Sequence, residues 1–269
     1  MIPAAFDYAV ARTVDHAIEL LSGDADAKLL AGGHSLVPAM RLRFARPELL
    51  VDLGRVAELR GVRDEDETLV IGAMTRHADL LRDPLVSEHC AVLVQAAALV
   101  GDRQVRHRGT IGGSVAHADP NGDLGTVLLA LDAEFVMRGP DGERAVPAAE
   151  FFESWYETAL SEHDVLTAIR VAKGASGTYL KLSRRSHDWA TVAVAAVRLG
   201  GTTRVALTSM APTPLRARGV EEALADGADA ATAAARAAEG TSPVSDAIAA
   251  ADYRTHLARV LTRRALEQL

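Results

Sequence analysis

Cysteine is almost missing from this sequence: Cys90 is the single thiol in 269 residues. One thiol excludes an intramolecular disulfide framework, and it excludes a cysteine-ligated iron–sulfur cluster or zinc site built from this chain. Excess positive charge is missing too. A net charge of −7 argues against nucleic acid as a partner, because phosphate backbones are bound mainly through surplus Lys and Arg. No apolar run approaches the roughly 20 residues that cross a bilayer, so no integral membrane segment is expected. The opening Met1-Ile2-Pro3-Ala4-Ala5-Phe6-Asp7 has neither the basic n-region nor the long h-region of a secretory signal. A cytoplasmic protein is the expectation. Three common ligand and catalytic signatures are absent as well. No Gly-Lys-Ser/Thr ending follows a glycine pair and no G-x-G-x-x-G occurs, which disfavours a triphosphate-binding P-loop and a Rossmann-bound nicotinamide. Without G-x-S-x-G, hydrolase chemistry at Ser35 is disfavoured too.

What is present is an ordinary globular balance, 49% apolar and 24% charged, in a chain long enough for one compact unit or two packed subdomains. Two glycine pairs stand out. Leu29-Leu30-Ala31-Gly32-Gly33-His34-Ser35-Leu36 follows a strand-like stretch and precedes a helix-like one. Thr110-Ile111-Gly112-Gly113-Ser114 does the same, running on to a turn-forming Asp119-Pro120-Asn121-Gly122-Asp123. Adjacent glycines can turn backbone N–H groups outward with no Cβ in the way, as an oxygen-rich anion requires. Two such loops could clamp one diphosphate, although a simple strand-to-helix turn accounts for either alone. Arg103, Arg106, His107 and Arg108 precede the second loop. They read either as a solvated segment or, for Arg106, as charge complementary to that anion.

Periodicity supplies the rest. Helices are expected at 13–22, 36–43, 84–99, 124–131, 215–224, 228–239 and 253–269. Buried strands are expected at 28–31 and 49–53, hairpins at 59–73 and 133–146, and a strand at 164–171. Gly174-Ala175-Ser176-Gly177 is the expected boundary, followed by antiparallel strands at 178–184, 190–199 and 204–211. His77 reads as a surface or capping residue and Cys90 as a small buried side chain. His117 and Asp119 lack the further ligands a metal site needs.

Both glycine motifs, the Arg103-Gln104-Val105-Arg106 lead-in and the hairpin–strand layout together resemble one family. It is the FAD-binding medium subunit of the molybdenum hydroxylases, the group holding aerobic carbon monoxide dehydrogenase and xanthine dehydrogenase. The resemblance runs from Phe6-Asp7-Tyr8 through Val51-Asp52-Leu53 and Ile71-Gly72-Ala73 to Tyr253-Arg254 and Arg264-Ala265-Leu266. It implies an α+β fold: a two-subdomain FAD-binding domain of the vanillyl-alcohol oxidase-like kind over 1–175 (about 1–55 and 56–175), then a C-terminal α+β domain over 176–269 with a three-stranded antiparallel sheet and helices.

FAD is the implied cofactor. Its diphosphate would lie against Leu29, Ala31, Gly32, Gly33, His34, Ser35 and Leu36 from one side and Thr110, Ile111, Gly112, Gly113 and Ser114 from the other. Asp123 is implied near the ribose or adenine end, with Leu166, Lys181 and Trp189 near the isoalloxazine. Trp189 stands in Asp188-Trp189-Ala190 where the family often has Asp-Tyr-Ala, and a core tryptophan is the alternative reading. The implied partners are a molybdenum-cofactor large subunit and a [2Fe–2S] small subunit, with NAD, a quinone or oxygen as acceptor. A self-sufficient flavin-dependent oxidoreductase of the vanillyl-alcohol oxidase-like group, with His34 as covalent flavin ligand, is the alternative. A non-catalytic anion- or partner-binding module is a third reading.

Overall fold

Three short apolar stretches near the start of the chain, each running into a turn, become a parallel sheet. In the computed structural model, which describes residues 2–269, β1 (Asp7–Val10), β2 (Lys28–Leu30) and β3 (Leu49–Asp52) pair in the order β1–β3–β2. Their carboxyl ends therefore face one edge. Helix α1 (Val14–Ser22) is capped by Thr13, whose hydroxyl accepts from His16 N at 3.1 Å. It buries Val14, Ala17, Ile18 and Leu21 against Val51, Leu53 and Leu59. Helix α2 (Leu36–Leu42) follows the first glycine pair and stops at Arg43 in a left-handed conformation.

The middle of the chain contributes β4 (Val62–Glu65), β5 (Thr68–Gly72), α3 (His77–Leu80), α4 (Pro84–His89), α5 (Ala91–Ala98), α6 (Arg103–Arg108), α7 (Ile111–His117), α8 (Asp123–Ala130), β6 (Glu134–Gly139), β7 (Gly142–Pro147), α9 (Ala148–Phe151), β8 (Phe152–Ser154), β9 (Glu157–Thr158) and β10 (Val165–Ala172). Strands β4–β5–β10–β6–β7 form one antiparallel sheet, with β8 and β9 paired separately. Leu69 and Ile71, Phe135 and Met137, and Ile169 and Val171 enter the largest core from β5, β6 and β10, at the two-residue spacing a strand imposes.

Several expected boundaries move, each for a visible reason. The strand expected from Leu59 begins at Val62, because Ala57–Leu59 makes a single 3-10 turn that buries Leu59 in the first core. The helix expected over 84–99 is broken at Cys90 (φ −144°, ψ 50°). There His89 O accepts from Ala175 N at 3.1 Å, tying the break to the connection after β10. Cys90 is fully buried, and burial pushes its thiol up to about 12. Iodoacetamide at pH 8 should therefore leave Cys90 unmodified in the native protein and label it once the chain is denatured, as mass spectrometry would show.

The remaining strands β11 (Ser176–Leu182), β12 (Val192–Leu199), β13 (Thr202–Thr208) and β14 (Leu215–Arg216) form a four-stranded antiparallel sheet. One strand more is present than expected, since Leu215 and Arg216 pair with β13 instead of opening a helix. Arg216 is held there by Asp132 at 2.5 Å and Glu221 at 2.6 Å. Helix α10 (Arg218–Ala225) then begins, and of the stretch expected to be helical over 228–239 only α11 (Ala230–Ala234) is α-helix. With α12 (Ala251–Leu266), these helices cover one face of the sheet. Strand β12 shows how the sheet is sandwiched. Val192, Val194 and Ala196 pack towards α10–α12, whereas Ala193, Ala195 and Val197 join the core shared with α5 and α8. No helix among the described residues is long and apolar enough to cross a membrane.

Candidate cofactor site

The two glycine segments meet. A Cβ on Gly32 would lie 2.5 Å from Arg108 O and 2.7 Å from Gly109 Cα, and one on Gly113 would lie 3.3 Å from the Ala31 Cβ. Gly33 sits at φ +79°, where other L-residues are strained. A cleft of about 790 Å³ runs along this contact, within the range of small-molecule and cofactor sites. Every residue that the resemblance implies for the cofactor lines it except Ile111, which is fully buried in the core and contributes nothing to the cleft wall. Among the described residues, the amides of Gly32, Gly33, His34 and Ser35 donate to no protein acceptor, leaving a row of free N–H groups.

The second segment does not mirror the first. Thr110 caps α7, so what reads as a loop is a helix start. Ile111 N donates to Thr75 O (3.0 Å), Gly112 N to Ala73 O (2.8 Å), Ser114 N to Thr110 O (3.0 Å) and Gly113 N to Thr110 Oγ1 (3.1 Å). All four amides are occupied, which corrects the picture of two outward-facing amide rows. Gly112 is required for a different reason: a Cβ there would fall 2.5 Å from the Ala73 Cβ. Glycine lets α7 start flush against the end of β5. Arg106 is corrected likewise. Its guanidinium donates to Val100 O (2.9 Å) and Gly101 O (2.8 Å), closing the carboxyl end of the α5 segment, and it does not line the cleft.

At another part of the cleft a buried polar group forms. Lys181 Nζ lies 3.0 Å from Asp123 Oδ2 and donates to Leu99 O at 3.1 Å, and Tyr179 donates to Asp123 Oδ1 at 2.7 Å. Burial pushes the Asp123 carboxyl above its ordinary range, with Lys181 and Tyr179 pulling against it. Burial also drives the Tyr179 hydroxyl well up. The sequence reading separates Asp123 at the ribose or adenine end from Lys181 near the ring, but an ion pair serves one locality. Tyr179 escaped that reading, although its position two residues before Lys181 on one strand puts both on the same face. Leu166 faces the cleft beside an irregularity in the β10–β6 pairing that spans Thr167. Trp189 is 57% exposed and stands with His187 and Asp188 on the cleft wall, so the core-tryptophan reading is set aside.

His77 also corrects an expectation. It is buried behind Gly109, where a Cβ would meet its ring at 2.8 Å, and its Nδ1 has no partner among the described residues. Burial, with Arg106 and His34 adding to it, lowers its pKa from 6.5 to about 4. The folded protein thus keeps His77 neutral where the unfolded chain binds a proton. Its contribution is complete above pH 6.5 and is lost as pH falls towards 4, on the order of 3 kcal/mol in all. Urea melts at pH 7.5 and 4.5 should show that loss, and His77→Gln should flatten it. His117 packs against Tyr156 with the rings tilted at 46° and 5.2 Å between centroids, and it lines the cleft with Asp119. No group of three metal-ligating side chains occurs among the described residues.

Residues 4–173 match the family described as FAD binding domain in molybdopterin dehydrogenase, and residues 177–269 match the CO dehydrogenase flavoprotein C-terminal domain. The chain belongs to the FAD-binding medium subunits of the molybdenum hydroxylases. It is 47% identical to the carbon monoxide dehydrogenase medium chain of Hydrogenophaga pseudoflava, over 99% of this chain and 97% of that protein. It is 38% identical to the 6-hydroxypseudooxynicotine dehydrogenase complex subunit alpha of Paenarthrobacter nicotinovorans, over 99% of this chain and 95% of that one. Among solved structures, the Hydrogenophaga pseudoflava carbon monoxide dehydrogenase lacking the Mo-pyranopterin moiety superposes with a TM-score of 0.95 at 46% identity, covering 99% of this chain and 98% of that one. This medium subunit is therefore part of an oxidoreductase, and FAD is its cofactor. The cleft suits that group: it is large enough, it offers free amides for an anion, and the absence of a side chain at Gly32 lets its two contributing segments meet.

Proposed function

We propose that this medium subunit is the electron-transfer component of a molybdenum-containing hydroxylase or dehydrogenase complex. It stands between [2Fe–2S] clusters on a small partner subunit and an external acceptor, which is NAD, a quinone or oxygen. A large partner subunit holds the molybdenum cofactor, and the assembly works in the cytoplasm. The observation that carries this reading is the contact of Gly32 with the Arg108–Gly109 backbone, which joins two distant segments into one wall of a dinucleotide-sized cleft. The lone Cys90 supports placing the clusters on a partner.

FAD supplies, when bound, the capacity to take up and release electrons. The chain's own work is to hold it. Amides of Gly32 to Ser35 receive the negatively charged linker, with Ala31, Thr110, Gly112, Gly113 and Ser114 completing the same wall. Leu29, Leu36 and Leu166 exclude water, Trp189 covers an exposed side, and the Asp123–Lys181–Tyr179 group fixes a polar end. Residues 1–175 form the cofactor-binding part of this arrangement and 176–269 the part that closes it. The substrate is chosen elsewhere in the complex: relatives named for carbon monoxide and for 6-hydroxypseudooxynicotine both share this chain's full length.

Co-purification with metal analysis tests the reading. Molybdenum and iron in fixed ratio to flavin are expected, and denaturation should release FAD into solution. Flavin that stays attached to the denatured chain would favour a self-sufficient oxidoreductase with His34 as the point of attachment. Flavin-bearing fractions consistently free of molybdenum and iron would overturn the proposal.

A further inference from the structure

Beside the contact of the two glycine segments lies a second cavity of about 370 Å³. It opens at the carboxyl ends of the parallel strands: Val10 closes β1, Asp52 closes β3, and Ala31 follows β2. Such ends are where open parallel sheets receive ligands. Ala31, Met74 and Thr110 are shared with the cofactor cleft, but the character of the wall is different. Four arginines line it, Arg55, Arg60, Arg76 and Arg108, against one carboxylate, Asp52.

That carboxylate is already committed. Asp52 Oδ1 accepts from Gly54 N at 2.6 Å and Oδ2 from the Tyr8 hydroxyl at 2.5 Å. Arg60 donates to Gly54 O, and the guanidinium groups of Arg55, Arg76 and Arg108 have no hydrogen-bond or ion-pair partner among the described residues. Arg55 and Arg108 both act on the Tyr8 hydroxyl, which places their charge around the same point. Several arginines elsewhere are paired, as in Arg138–Asp15, Arg204–Asp132, Arg216–Glu221 and Arg254–Asp246, whereas Arg55, Arg76 and Arg108 share one concavity with no such partner. Guanidinium groups gathered around one concavity give it a positive potential that favours an anion, and the guanidinium fork matches phosphate oxygens two at a time. Several forks around one cavity suit a multiply charged anion better than a single carboxylate.

We propose that this cavity binds a small phosphate-class oxyanion, at a site distinct from the flavin cleft. The proposal goes beyond the electron-transfer reading and does not depend on it. The test is a calorimetric titration of inorganic diphosphate into the full-length chain saturated with FAD, with flavin absorbance followed in parallel. The expected result is one binding event that weakens as salt rises and leaves the flavin in place. The Arg55→Gln/Arg76→Gln double variant should weaken it by about tenfold or more while retaining its flavin, and Arg60→Gln should weaken it as well.

Absence of binding to the unmodified chain would overturn the proposal, as would undiminished binding to the double variant. Displacement of flavin by diphosphate would overturn it too, since the anion would then be using the cofactor cleft. If diphosphate fails to bind and the double variant instead no longer co-purifies with partner subunits, the arginines serve an acidic protein surface and the proposal falls. A chain that holds no flavin at all is a separate failure, of the cofactor reading. The same titration on Gly33→Asp, where the cleft is obstructed, then decides the second site independently.

Discussion

Gly33→Asp should yield a folded chain that has lost its flavin. The residue sits at φ +79° in the row of free amides, so a side chain adds backbone strain of about 1–2 kcal/mol. The new carboxylate also stands where an anionic linker would lie. Together these should raise the FAD dissociation constant by about a hundredfold or more, roughly 2.7 kcal/mol. Circular dichroism and the flavin-to-protein absorbance ratio separate folding from occupancy. Gly113→Ala should behave in the opposite way. Its Cβ meets the Thr110 hydroxyl at 2.8 Å, threatening a helix cap worth about 1 kcal/mol, while the amides that face the cleft from the first segment are untouched. It should melt earlier and still carry flavin. Full occupancy in Gly33→Asp would remove the amide row from the account of cofactor binding.

Lys181→Met should cost about 3–5 kcal/mol of stability, because it strands the Asp123 carboxylate in a place that water scarcely reaches. Asp123 already titrates above the ordinary carboxylate range through burial, and losing Lys181 pushes it further up. The folded variant then keeps a proton that the unfolded chain releases. The damage therefore grows as pH rises above the ordinary carboxylate range and shrinks as pH falls into it. Denaturant midpoints between pH 5 and 8 would show this slope. Asp123→Asn combined with Lys181→Met should recover most of the loss, since no charge is then left without a partner. If the single variant is as stable as the unmodified chain at pH 8, the ion pair does not hold this corner of the cleft.

The parts of the fold that one-dimensional pattern can specify were legible. β12 is a continuous apolar run of strand length, the β6–β7 hairpin carries its Gly-Pro-Asp-Gly turn, and α1 repeats apolar residues behind a threonine cap. What escaped depends on contacts between distant segments. Thr-Ile-Gly-Gly-Ser is a poor helix former, yet it starts α7 because Thr110 caps it and Gly112 fits against Ala73. Arg106 reads as a ligand for an anion and instead satisfies two carbonyl groups. Ile111, flanked by cleft residues, turns its side chain into the core. The break at Cys90 has no local signal, because its tie to Ala175 is remote in sequence. Within the site, the first glycine segment could be read from its residues alone. The pairing of Asp123 with Lys181 required the fold that brings α8 onto β11.

The alternation along β12 reaches beyond packing. A strand whose odd and even side chains belong to separate interiors is a rivet, and neither interior survives its removal. The C-terminal third cannot peel away as a spare module, for it would strip the cover from α5 and α8 and leave their apolar sides wet. Scanning calorimetry of the whole chain should accordingly trace one endotherm. A fragment ending near residue 175 should behave as a sticky, flavin-poor remnant.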